Sequence, residues 1–172
     1  MRKELFMPSI EGQARLLILI QAFTTPAKSL EGRVKLAKLD FLLRYPNYFD
    51  RLLGIRAPAS QMQSVSRSAE TIESRMVRYR YGPWDPAYYS LLGGLIGKRL
   101  VAGVPTGRGI AYRVTPLGQH VAGILEASEV WQPVAQRAKL LRRYFDLSGT
   151  TLKALIYEHI PEVTAASWGE AL

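Results

Sequence analysis

The chain has no cysteine, which excludes a disulfide framework, a thiolate metal site and a cysteine nucleophile. The absence fits a reducing cytosol. Histidine is almost missing: His120 and His159 are the two, on different expected helices, and neither has a metal-ligating neighbour on a shared face beyond Glu158. Long apolar runs are missing as well. The longest, LLILI from Leu16 to Ile20, falls far short of the roughly 20 residues that span a membrane. The opening MRKELFMPSIEGQ has no apolar stretch of signal-peptide length. The expectation is a soluble, cytoplasmic protein without membrane contact. Acidic residues are scarce, 14 against 23 Lys and Arg, leaving a net charge of +9. That excess suits nucleic acid, an acidic partner or an anionic surface, and charge alone does not choose among them.

Catalytic signatures are equally thin. GLIGKR around Gly97 lacks the first glycine and the Ser/Thr of a phosphate-binding loop, having Leu92 and Arg99 there. GVPTGRG lies between two expected strands, so a dinucleotide would find no helix N-terminus. No G-x-S-x-G elbow occurs, and no carboxylate pair sits in an acid/base context. The expectation is a non-enzyme without cofactor or metal.

What is present is core. Apolar residues are 48% of 172, enough for one folded domain with a small appendage. Residues 11–24 form an apolar segment of helical length. Residues 32–44 place Val34, Leu36, Leu39, Leu42 and Leu43 near helical spacing with basic residues between. Pro46 ends that helix and PNYFDRLLGIR makes another. Residues 57–69 read as a linker or mobile loop. MVRYRY then reads as a strand, GPWDP as a rigid corner, and PAYYSLLGGLIGKR as a helix with Asp85 as N-cap and Pro86 in its first turn. As a cap, Asp85 would be worth about 1 kcal/mol. RLVAGVPTGRGIAYRVT is a hairpin whose turn spans Thr106 to Gly109. Thr115 opens a helix from Pro116 to about Ser128. Trp131 to Phe145 is a basic amphipathic helix, Ser148 caps a last one, and the pattern fades from Pro161.

This order predicts a mostly α fold with a small antiparallel β-sheet: a winged helix-turn-helix domain over 1–128, with a C-terminal helical extension over 129–172. The strand MVRYRY and the helix after it would then be the sheet's first strand and the major-groove element. Between Arg75 and Arg113 lie seven basic residues and one acid, Asp85. Arg75, Arg78, Arg80, Lys98, Arg99, Arg108 and Arg113 are therefore the candidate nucleic-acid contacts, made to backbone phosphates without sequence preference. The groove-facing helix is a poor base reader, offering Ser90 early and Lys98 and Arg99 at its end. Gly93, Gly94 and Gly97 each cost about 1 kcal/mol in a helix. They suit close approach of a backbone, from the domain's own sheet or from a partner. Leu140, Leu141, Tyr144 and Phe145, on a stripe bordered by Arg137, Lys139, Arg142 and Arg143, are the candidate partner-binding residues; covering the domain's own back is the competing explanation.

The segments KLAKLDFLLRYPNYFDRLL, YRYGPWDPAYYSLLGGLIGKRLV, YRVTPLGQHVA and LKALIYEHIPEV resemble the middle components of bacterial ABC-three-component systems, of which Lamassu anti-phage defence is the best-known type. The resemblance covers roughly residues 10 to 165 and is most specific at LDFLLRYP and YGPWDPAYY. It implies a small non-catalytic subunit between an SMC-like, ABC-type ATPase and a separate effector, often a nuclease. The arginine-rich strand itself suits either the backbone of double-stranded DNA or an acidic neighbour as a further partner. The resemblance carries over no catalytic residues. The alternative is a free-standing winged-helix transcription regulator, which would be a two-fold dimer.

Overall fold

The computed structural model describes residues 8–62, 76–79 and 82–172. Arg75, Arg80 and most of the expected 57–69 loop lie outside the described residues. The described residues are mostly helical, with one three-stranded and one two-stranded antiparallel sheet.

Helix α1 (Ile10–Phe23) is the central element. The Ser9 hydroxyl caps it, accepting the Gly12 N–H at 2.9 Å, as short polar side chains do for orphan first-turn donors. Its LLILI run has no solvent-facing side, and Leu16 to Ile20 are all buried. A helix apolar all round needs neighbours all round. Those neighbours are α2 (Arg33–Arg44), α5 (Tyr88–Gly97), α6 (Pro116–Glu126) and α7 (Gln132–Phe145). Pro46 ends α2 at Arg44 and starts α3 (Pro46–Arg56), where its missing N–H costs nothing. A short α4 (Ala59–Met62) follows.

The three-stranded sheet has the order β1-β5-β4, formed by β1 (Leu30–Glu31), β4 (Val101–Thr106) and β5 (Gly109–Val114). The β4–β5 hairpin pairs from Val101–Val114 out to Thr106–Gly109. Gly109 takes φ +130° in the turn, a conformation that side chains avoid. The sheet's third strand is not the basic strand expected for it. Leu30–Glu31, between α1 and α2, pairs with β5. The basic segment instead forms β2 (Val77–Tyr79), paired with β3 (Gly82–Trp84) in a separate sheet. Gly-Pro-Trp is thus strand and not corner. Its proline is tolerated because β3 is an edge strand.

Two further expectations are corrected. The segment after Pro161 does not lose structure: α9 (Pro161–Ala165) follows α8 (Gly149–His159), and residues 169–172 run along β2. There Arg78 N–H donates to the Glu170 carbonyl at 3.0 Å, Gly169 N–H to Arg78 at 2.8 Å, and Leu172 N–H to Met76 at 2.8 Å. Second, residues 129–172 are no appendage to a closed core. One apolar cluster includes Leu17, Ile20 and Leu42 together with Val134, Leu141, Phe145, Leu152 and Ile156. Among the described residues, no helix is long and apolar enough to cross a membrane.

Candidate nucleic-acid interface

Of the seven expected phosphate contacts, the five that are described do not form one patch. Arg75 and Arg80 lie outside the described residues. Arg78 is occupied, its guanidinium donating to the carbonyls of Thr164, at 2.7 Å, and Ala166; it closes the C-terminal end of α9. Arg113 donates to the Thr25 carbonyl at 3.2 Å and to the Ser29 hydroxyl at 3.5 Å, so it ties β5 to the α1–β1 connection. Lys98 and Arg99 are exposed at the end of α5, with Lys98 Nζ 2.5 Å from Gln13 Oε1. Arg99 holds φ +58°, the left-handed position just past the helix C-cap that is usually given to glycine. Arg108 is exposed at the hairpin turn, at the far end of a six-residue strand that spans roughly 20 Å.

Arg108 has other company. A cleft of about 670 Å³ separates the hairpin turn from α2 and the start of α8, and Lys35, Lys38 and Lys153 line it beside Arg108. Lys35 is neutralised by Asp146 at 2.8 Å. Three cations hold the Asp146 carboxyl below its ordinary value, against burial that would raise it. Lys38 is 2% exposed. Among the described residues its ammonium makes one long hydrogen bond, 3.4 Å to the Val34 carbonyl of its own helix. Burial, then repulsion from Lys153, pushes it down to about 8. Sequence reading saw the basic residues of α2 only as the polar face of an amphipathic helix. Nothing in their spacing indicates that the tertiary fold folds Lys38 inward beside Lys153.

Comparison with protein-family models, curated proteins and solved structures finds no match.

The expected partner stripe is also redistributed. Leu141 and Phe145 are fully buried, packed into the cluster that holds α1 and α3, with Phe145 against Phe49 at 6.2 Å between ring centroids. They serve this chain's own core and are closed to a partner. Leu140 and Tyr144 are half-buried against it. The apolar surface that does face solvent lies elsewhere. On α5, Tyr89 and Ile96 are 61% and 41% exposed. Gly93 and Gly97 lie exposed on the same helix, and a Cβ at either would meet nothing within 4 Å. Their own sheet therefore does not require them to be glycine. Beside Tyr89 a groove of about 490 Å³ runs between α2 and the β2–β3 hairpin, walled by Val34, Val77, Tyr79, Trp84 and Tyr89. Arg33 lies over the Tyr89 ring at 4.6 Å. Among the described residues, no group of three His, Asp or Glu side chains could hold a metal ion.

Proposed function

We propose that this chain is a non-catalytic assembly subunit that docks a protein partner through α5 and the adjoining aromatic groove and turns its basic hairpin toward nucleic-acid backbone. The element order α1, β1, α2, α5, β4, β5 with sheet order β1-β5-β4 supports a winged helix in which β4–β5 is the wing, with α3, α4, β2 and β3 inserted before α5. The observation that carries the reading is the solvent face of α5. A major-groove reader needs Arg, Lys, Asn or Gln there. This helix presents Tyr89, Ser90, Gly93, Ile96 and Gly97, a low, apolar surface with aromatic anchors of the kind interfaces favour. The resemblance to ABC-three-component middle subunits supports an SMC-like, ABC-type ATPase as the partner, with an effector beyond it, in anti-phage defence in the cytoplasm.

Co-expression with an ATPase encoded beside this chain tests the reading. The two should co-purify, and Gly93→Ala with Gly97→Ala should weaken the complex, because a methyl at a close helix contact separates the backbones. A chain that ignores the ATPase, forms a two-fold dimer and holds one operator tightly at raised salt would establish the transcription-regulator alternative instead.

A further inference from the structure

The cleft between the β4–β5 turn, α2 and α8 has features that neither solvation nor packing explains. A lysine ammonium carries three donors and a full charge, and burying one without an anion is unfavourable. Lys38 is almost completely buried and lies in a cleft with a second lysine, Lys153, and among the described residues neither has a carboxylate bound. Each cation raises the energy of the other. Asp146, the acid nearest the α7–α8 junction, is occupied by Lys35, Lys28 and Arg142. Glu31 lines the same cleft, and no ion pair joins it to either lysine. The cleft is also bounded by Ser148, Gly149 and Thr150 at the start of α8. The Ser148 hydroxyl there accepts the Thr151 N–H at 3.1 Å, and the first N–H groups of a helix have no intrahelical acceptor.

From this arrangement we infer that the cleft is a binding site for a phosphate group, held by Lys38 and Lys153 from below, Arg108 from the hairpin turn, and the N-terminal end of α8. An anion there relieves the Lys38–Lys153 repulsion and gives Lys38 a charged partner, which no described residue supplies. Two sources share this chemistry: the backbone of a nucleic-acid strand lying along the hairpin, and a free phosphate or nucleotide, which a volume of this size accommodates. The site deepens the nucleic-acid half of the proposed function and is independent of the ATPase partnership, so each can fail without the other.

The test uses the full chain, inorganic phosphate, and a short fluorescein-labelled DNA duplex. Phosphate should saturate and shift the backbone amide resonances of Gly149 and Thr150, and Lys38→Met should abolish that shift. If the source is a nucleic-acid strand, Lys38→Met and Lys153→Gln should each weaken the duplex about tenfold at low salt. Each should also reduce the slope of log affinity on log salt by about one. Lys139→Ala, exposed on α7, should leave affinity unchanged. Saturable amide shifts with duplex affinity untouched would assign the site to a free phosphate-bearing ligand. Should Lys38→Met fail to fold, the half-buried Lys153→Gln carries the same readouts. Amide resonances that do not respond to phosphate, with both lysine variants binding duplex like wild type, would overturn the inference.

Discussion

Asp40 joins three elements through its two carboxylate oxygens. Arg15 on α1 donates to it at 2.7 and 3.2 Å, and the Tyr88 hydroxyl on α5 donates at 2.7 Å. Arg44, one turn along α2, lies 3.6 Å away and pairs more closely with Asp85, at 2.7 Å. Burial by itself would raise the Asp40 carboxyl, but Arg15 and Arg44, with the two hydrogen bonds, hold it below its ordinary value. Burial, together with the Asp40 charge, pushes the Tyr88 phenol well up. Removing one member leaves a buried charge uncompensated, so Asp40→Asn should destabilise by roughly 3–5 kcal/mol in denaturant melts. Asp85 is part of this cluster and not a simple cap. Its other oxygen accepts the Ala87 N–H at 2.8 Å, while α5 itself begins at Tyr88. Asp85→Ala should therefore cost about 3 kcal/mol, not the 1 kcal/mol of an exposed cap. The depressed Asp40 carboxyl contributes stability that is present above its ordinary unfolded value near 3.8 and is lost as pH falls through its lower folded value. Lys38 runs the other way. Its folded value near 8 lies below the ordinary 10.5, so the unfolded chain binds more protons between them. Wild type should accordingly gain stability over Lys38→Met as pH rises through that window. The reverse trend would contradict its burial as a charged group.

Glycines that look alike in sequence differ in what they do within their elements. Gly118 in α6 faces the α5–β4 junction, and a Cβ there would sit 1.8 Å from the Leu100 carbonyl oxygen. That carbonyl accepts the Thr115 N–H at 3.0 Å, and the Thr115 hydroxyl donates to Arg99 at 2.6 Å. The T-x-x-G of the hairpin's end is thus a clamp of α6 onto β4. Gly118→Ala should destabilise by several kcal/mol, or about 3, through overpacking against backbone. Gly93→Ala meets open space and should stabilise the isolated chain by up to about 1 kcal/mol. If melts show both substitutions to be costly, the α5 face is held by something within the chain and its role as a free docking surface fails. The main helices were legible because their apolar spacing, Pro46, Thr115 and Ser148 are local signals. The hairpin was legible from its glycine-bearing turn. Leu30–Glu31 was not: two residues carry no period, and only the pairing with β5 makes them a strand. Gly-Pro-Trp was misread for the converse reason, since its turn residues pair with β2.

For the whole molecule, the decisive fact is a core shared across residue 128. Leu141 is fully buried against the central helices, and Arg137, 4% exposed on the same helix, donates to the Leu43 carbonyl at 2.6 Å. Leu141→Ala should cost about 2–5 kcal/mol. Far-ultraviolet and tryptophan signals should unfold in a single coincident transition, as one cooperative unit does; two separated transitions would restore an independent 1–128 domain. The sequence could not show this, because an apolar stripe on a helix is the same whether an own core or a partner covers it. The basic surface was half legible for a similar reason. Charge counting finds arginines but not their acceptors, and Arg78 and Arg113 are spent on backbone carbonyls. The run of residues 169–172 along β2 bears on how the protein is handled at the bench. Leu172 lies against Met76 and accepts the Tyr45 hydroxyl at 3.0 Å, next to Val77, which walls the aromatic groove. A bulky substitution at Leu172 would therefore press on the strand that supplies Val77 to the groove wall. Bait for capturing partners is better tethered through an exposed residue on α7 such as Lys139, which lines neither the groove nor the basic cleft.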